Sequence, residues 1–224
     1  MRLATSTLLL LSAALLCGQS EQAKRLDEAA TVFSEVMGTP DKAIPQELMD
    51  RAQCVIVIPG MKGGAFIFGA KYGKGFLSCR KKSGVGWTGP GSVRIEGGSF
   101  GLQIGGTETD VIMLVMNERG AQRLLSSKFT LGGDASVAAG PVGRNATAQT
   151  DAYMTAEILS WSRSRGVFAG VSLQGATLRQ DMDDNKAIYG KDLQNVDIVK
   201  RELAPPKGAE KLISLFNKYS SRKG

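Results

Sequence analysis

Lys71, Lys74, Arg80, Lys81 and Lys82 crowd one glycine-rich stretch of this chain. Ammonium and guanidinium groups recognise phosphate and carboxylate, and each one held near an anionic surface contributes about 1 kcal/mol. The whole chain is basic, with a net charge of +7 over 224 residues. Such a chain prefers anionic partners, whether phosphates, lipid headgroups or nucleic acid. Aromatic residues make up 6% of it and are not interleaved with the basic runs. That spacing argues against bases stacked on a nucleic-acid platform, so no nucleic-acid partner is expected.

The common catalytic constellations are missing, which leaves only carboxylate or lysine chemistry open to an enzyme. There is no histidine. This excludes Ser-His-Asp and Cys-His catalysis and the two-histidine zinc motif. Asp181, Asp183 and Asn185 match the first, third and fifth positions of a calcium loop. Lys186 then occupies the position that needs glycine, and Asp192 the position that needs glutamate. The acids read better as the start of a helix, at the positive end of its dipole. Gly73-Lys74 and Gly190-Lys191 lack the following Ser or Thr of a phosphate loop. The expectation is a binding protein without metal, cofactor or enzymatic activity.

The elements that position the cations start with Cys54 to Cys79. An apolar run, Cys54 to Ile58, meets Pro59-Gly60; further apolar pieces are Ala65–Ala70 and Phe76–Leu77. β-branched and aromatic residues between Pro and Gly predict strands joined by tight turns. Lys62, Lys71 and Lys74 are placed at those turns, and Arg80-Lys81-Lys82 at a strand end. The result is a buried sheet with a basic rim, on which the five cations converge. Cys54 and Cys79 read either as a disulfide or as small buried residues of the strands. The 28 glycines exceed the usual ~7% and suit a sheet with close backbone contacts.

Met1-Arg2, the apolar run Leu8–Leu16 and the small residues Gly18 and Ser20 read as a secretory leader cleaved before Glu21. A lipoprotein anchored at Cys17 is the alternative. Residues 21–37 predict an amphipathic helix with Leu26, Ala30, Phe33 and Met37 on its apolar stripe. A short helix over 44–52 follows. Strands are expected at Ser92–Glu96 and Phe100–Ile104, split by Gly97-Gly98, and at Asp110–Met116, buried on both faces. Asn117 caps a helix reaching about Ser127. Lys128–Gly133 leaves that helix, and Ala135–Gly143 is a strand and turn. A hairpin joins Leu159–Ser164 to Val167–Leu173, with Val167, Ala169, Val171 and Leu173 on one face. Helices are expected at 181–189, 195–203 and 209–219, with Pro205-Pro206 before the last. Asn145-Ala146-Thr147 has the form of a glycosylation sequon.

Several motifs in order, VIVIPG, GGAFIFGAKYGKG, GGSFGLQIGGTETDVIMLVMN, KFTLGGDASVAAGPVGR and SWSRSRGVFAGVSLQGA, resemble the SYLF domain family. The resemblance runs from about Glu21 to Asp192, and with the leader it points to a stand-alone exported form. It implies binding of anionic lipid, phosphoinositide in the eukaryotic members, with an N-terminal amphipathic helix in contact with the membrane. Lys24, Arg25 and Phe33 are the residues that match that role. Some members bind actin, and no actin-contact residue transfers to this chain.

The resulting expectation is one α+β domain, a strongly curved antiparallel sheet approaching a barrel, flanked by helices. It covers 21–204 behind a leader at 1–20, with a basic amphipathic helix within 205–224. The expected activity is non-enzymatic binding of anionic lipid at a membrane surface, through Lys24, Arg25, Phe33, Lys71, Lys74, Arg80, Lys81 and Lys82. The alternative is an envelope scaffold that docks a protein partner on its C-terminal helix. Export places the chain in a periplasmic or secreted compartment.

Overall fold

The structure is a computed structural model that describes residues 20–39, 43–65, 69–99, 107–126, 128–143, 155–164 and 166–220. The leader through Gln19 with Cys17, the strand expected at Phe100–Ile104 and the sequon at Asn145 lie outside these residues, as do Phe66–Phe68.

Nine strands form one sheet: β1 Cys54–Ala65, β2 Gly69–Cys79, β3 Gly91–Ser99, β4 Thr107–Val115, β5 Lys128–Thr130, β6 Val137–Ala139, β7 Ile158–Ser164, β8 Val167–Gly170 and β9 Thr177–Gln180. The order is β5-β9-β3-β2-β1-β4-β7-β6, with β8 also on β7. All pairings are antiparallel except β6 with β7, a departure from the expected uniform sheet. Leu131 after β5 pairs with Ala135 before β6, which draws the two ends of the sheet together. The sheet therefore curls into a half-barrel.

The curl has two apolar faces. On one, Val55, Val57, Phe76, Ile112, Leu114 and Trp161 meet the helices. On the other, Ile56, Ile58, Leu77, Met113 and Ile95 meet Phe129 and Leu178 from the far strands. β4 supplies both, and each residue from Val111 to Val115 is buried, as its unbroken apolar run predicts.

Six helices lie among the described residues: α1 Glu21–Met37, α2 Gln46–Arg51, α3 Glu118–Leu124, α4 Met182–Tyr189, α5 Asn195–Lys200 and α6 Glu210–Tyr219. Ser20 caps α1 by accepting from Ala23 N, and the whole predicted stripe of α1 is buried. Asn117 accepts from Gly120 N at 2.8 Å, as its predicted cap role requires. Asp181 caps α4 and Gly190 ends it in the left-handed region, φ 68°. α6 lies on α1: Phe33 and Phe216 meet edge to face, centroids 4.8 Å apart. The apolar side of α6 is thus already occupied within the fold.

Three expectations need correction. Pro59-Gly60 does not end β1. Gly60 adopts φ 54° and the register shifts there, so the strand passes through a bulge and continues to Ala65. Tyr72-Gly73-Lys74-Gly75 is not a turn but the middle of β2. A Cβ at Gly75 would sit 2.1 Å from Val57 O, so the glycine marks a close strand approach. The strand expected over Val167–Leu173 stops at Gly170, so Val171 and Leu173 lie beyond it while Val167 and Ala169 lie on it. These last two do not line the core; they are exposed on an edge strand, while Phe168 between them packs against the helical face.

Candidate functional site

The two bulged or glycine-bearing strands decide where the cations lie. β1 and β2 continue side by side past the bulge, with Lys62 opposite Tyr72 and Gly63 opposite Lys71. Alternation then sends Tyr72 and Lys74 to the α1 side, the side of Phe76, and Lys71 to the other. The N-terminal turns of α1 lie against this end of the sheet. Lys24, Arg25, Lys62, Tyr72 and Lys74 line a single cleft of about 510 Å³ there. Lys71 lines a smaller cleft of about 240 Å³ beside Met61 and Leu173. The hairpin end thus gathers Lys24, Arg25, Lys62, Lys71 and Lys74 around Tyr72, which is 47% exposed.

Not all of these charges face solvent freely. Arg25 reaches Asp184 at 2.7 Å and also pairs with Glu21. Lys74 lies 2.9 Å from Asp181 and 3.3 Å from Asp184. Gln22 adds a bond to Asp184 at 3.1 Å. The two buried carboxylates of α4 therefore hold the start of α1 and the middle of β2 together. Burial would push Asp181 up, but the hydrogen bond from Lys74 and the Asp184 amide outweigh it and hold the carboxyl below its ordinary value. Lys74 is held above its ordinary value. Burial would lower it, and its bonds to Asp181 and Asp184 prevail. Lys24 has a long contact to Glu28, 3.8 Å, on the surface. Lys62 and Lys71 have no ion pair among the described residues. Glu21, Glu28 and Glu108 also line the larger cleft and moderate its charge.

The rest of the predicted set lies elsewhere. Arg80 is six residues along β2 from Lys74, roughly 20 Å at ~3.3 Å per residue. It is 8% exposed and works inside the fold. Its guanidinium donates to Ala52 O and Met49 O, both at 2.8 Å, and to Asp50 O, and stacks over Trp87 at 4.4 Å. These are the open carbonyls at the end of α2, which need donors. Lys81 and Lys82 follow it into a separate cleft of about 480 Å³ between α3 and α5. Phe33 is fully buried between α6 and the sheet. The single convergent rim is therefore two basic clefts at opposite ends of β2, with Phe33 and Arg80 committed to packing.

Sequence reasoning missed two members of the hairpin-end group, Lys62 as a partner and Tyr72. Their signal was cross-strand register, and it becomes visible only once β1 is allowed to run through the bulge. Asp181 was read as a helix start, which it is, but its ion pair to Lys74 had no local mark. Among the described residues, no group of three or more Cys, Asp or Glu could hold a metal ion. No described helix is long and apolar enough to cross a membrane.

Cys54 and Cys79, opposite each other in the β1–β2 register, form a disulfide. Of the two readings open in the sequence, pairing is the one realised, and both residues remain buried as well.

Comparison with known proteins gives one consistent picture. Residues 96–219 match the Ysc84 family, described as Las17-binding protein actin regulator. SH3 domain-containing YSC84-like protein 1 of Homo sapiens is 29% identical over 204 residues, 90% of this chain and 59% of that protein. The Xenopus laevis protein of the same name is 31% identical over 202 residues, 89% and 59%. LAS seventeen-binding protein 3 of Saccharomyces cerevisiae is 31% identical over 187 residues, 82% and 40%. The chain therefore spans well under two thirds of these relatives' own length.

Proposed function

The chain belongs to the Ysc84 family, the SYLF family of the sequence motifs, and from that premise we propose that it is a non-enzymatic binding module that recognises anionic headgroups at a membrane surface through the end of its β1–β2 hairpin that carries Lys62 and Tyr72. One observation carries this reading. Lys62 and Tyr72 face each other across β1 and β2 and line one cleft with Lys24 and Lys74. Lys62 and Lys71 line clefts on either side of the same hairpin and have no ion pair among the described residues. Tyr72 beside them has the amphipathic ring that suits a membrane interface. At about 1 kcal/mol each, Lys24, Lys62 and Lys71 supply roughly 3 kcal/mol, weakened by the nearby glutamates and by salt. Arg25 and Lys74 serve mainly to hold the cleft in shape.

This reading differs from insertion of α1 into the bilayer. The apolar stripe of α1 is buried against the sheet and α6. Contact through the hairpin end leaves that packing in place. Export remains part of the proposal, and the Cys54–Cys79 bridge supports an oxidising compartment.

The family description and the names of the relatives favour a second reading, docking of a protein partner. Vesicle sedimentation separates the two. Salt-sensitive retention of the chain on anionic but not neutral vesicles supports headgroup binding. No retention on anionic vesicles at low salt overturns it in favour of a protein partner.

A further inference from the structure

The cleft at the far end of β2 holds an unusual combination. The Cys54–Cys79 bridge forms part of its wall, and Lys81, Lys82 and Lys200 line it. These lysines have no ion pair among the described residues. The carboxylates that face them are Glu118, which accepts from Gln122, and Glu202, which accepts from Lys82 N at 2.7 Å. Glu202 has φ 51°, and it is the one non-glycine in the left-handed region among the described residues. It follows the C-cap of α5, a place where glycine is the unstrained choice. A side chain costs about 1 kcal/mol there. That strain keeps a polar group on the rim of the cleft.

We propose that this cleft is a thiol–disulfide exchange site, which admits a small anionic thiol to the Cys54–Cys79 bridge. The lysines attract the anion and favour the thiolate over the thiol, both for the attacking group and for the departing cysteine. Both cysteines are buried, and Cys79, at 4% exposure against 0% for Cys54, is the one nearer the cleft surface, so attack is assigned to its Sγ. The incoming thiolate forms a new S–S bond to Cys79. The Cys79–Cys54 bond breaks, and Cys54 leaves with the electron pair and takes a proton from water. A second thiolate then attacks the external sulfur of the mixed disulfide. It releases Cys79 as a thiolate, which is protonated in turn, and leaves the two small thiols joined as their disulfide. Two electrons pass from the small thiols to the protein bridge.

The test uses the full oxidised chain, well below its unfolding transition and at low ionic strength. Glutathione, 2-mercaptoethanol and cysteamine are supplied at equal thiolate concentration as anionic, neutral and cationic probes. Mass spectrometry follows the mixed disulfide and the free protein thiols. The expected result is glutathione reacting at least about tenfold faster than cysteamine, a size of effect typical of electrostatic focusing in a charged cleft. The adduct maps to Cys79. The triple variant Lys81→Gln, Lys82→Gln, Lys200→Gln alters only surface cations, and is expected to fold and to lose the preference. Equal rates for the three probes, an adduct on Cys54, or a preference that survives the triple variant would each overturn the proposal.

Discussion

Lys74 Nζ lies 2.9 Å from Asp181 Oδ2, which ties the middle of β2 to the cap of α4 across 107 residues of sequence. Asp181 is 3% exposed by side chain and Lys74 26%, so the pair is sheltered on one side only. A carboxyl held below its ordinary value contributes stability above the unfolded value of ~3.9, and that contribution is lost as pH falls through the folded value. A lysine held above its ordinary value contributes below ~10.4, and that contribution is lost as pH rises past the folded value. The pair therefore stabilises the fold between about pH 4 and pH 10. Asp181→Asn is expected to cost about 2 kcal/mol at pH 7, less than a fully buried pair would. Urea midpoints from pH 7 down to pH 2 check it: the gap between variant and parent should shrink toward acid.

Phe33→Ala removes a fully buried ring that meets Phe216 and Tyr219. It should cost about 3–4 kcal/mol. Because the ring lies inside, vesicle binding by the fraction that remains folded should be unchanged. Denaturation midpoints and sedimentation at a temperature where the variant is folded measure the two effects separately.

Arg80→Lys keeps the charge but loses the fork that reaches Ala52 O, Met49 O and Asp50 O together. A loss of about 2 kcal/mol is expected from the carbonyls left without donors. Thermal unfolding checks it. Full stability in the lysine variant would mean that the charge matters there and not the geometry.

The Cys54–Cys79 bridge closes a loop of 25 residues. Chain-entropy bookkeeping gives it about 3.5 kcal/mol. The double variant Cys54→Ala, Cys79→Ala should lower the unfolding free energy obtained from urea titration by that amount, with a small further loss from packing. The strands should stay paired, since the register runs on from the bridge through Val55 with Ser78, Ile56 with Leu77 and Val57 with Phe76.

What the sequence disclosed follows the reach of its signals. The 3.6-residue period of α1, the unbroken run of β4, the cap Asn117 and the helix start at Asp181 are local, and they were read correctly. The curved α+β architecture followed from apolar runs between glycines. Gly60, Gly73 and Gly75 misled, because glycine serves a bulge or a close strand approach as readily as a turn. That error moved Lys62, Lys71 and Lys74 from strands to turns and made one basic rim out of two clefts. Phe33 fitted both a core stripe and a membrane face, since an amphipathic pattern does not say what covers it. Arg80 reads as a rim cation until the carbonyl ends of α2 are seen around it.

The most direct test of the account compares charge reversals at the two ends of β2 in the same vesicle assay. The double variant Lys62→Glu, Lys71→Glu alters the hairpin end, and Lys81→Glu, Lys82→Glu alters the far cleft. At about 1 kcal/mol per cation, the first should weaken binding to anionic vesicles by roughly thirtyfold or more at low salt. The second should stay within about threefold of the parent, the effect of a change in net charge alone. Retained binding in the hairpin-end variant, or loss only in the far-cleft variant, would contradict the hairpin end as the headgroup site.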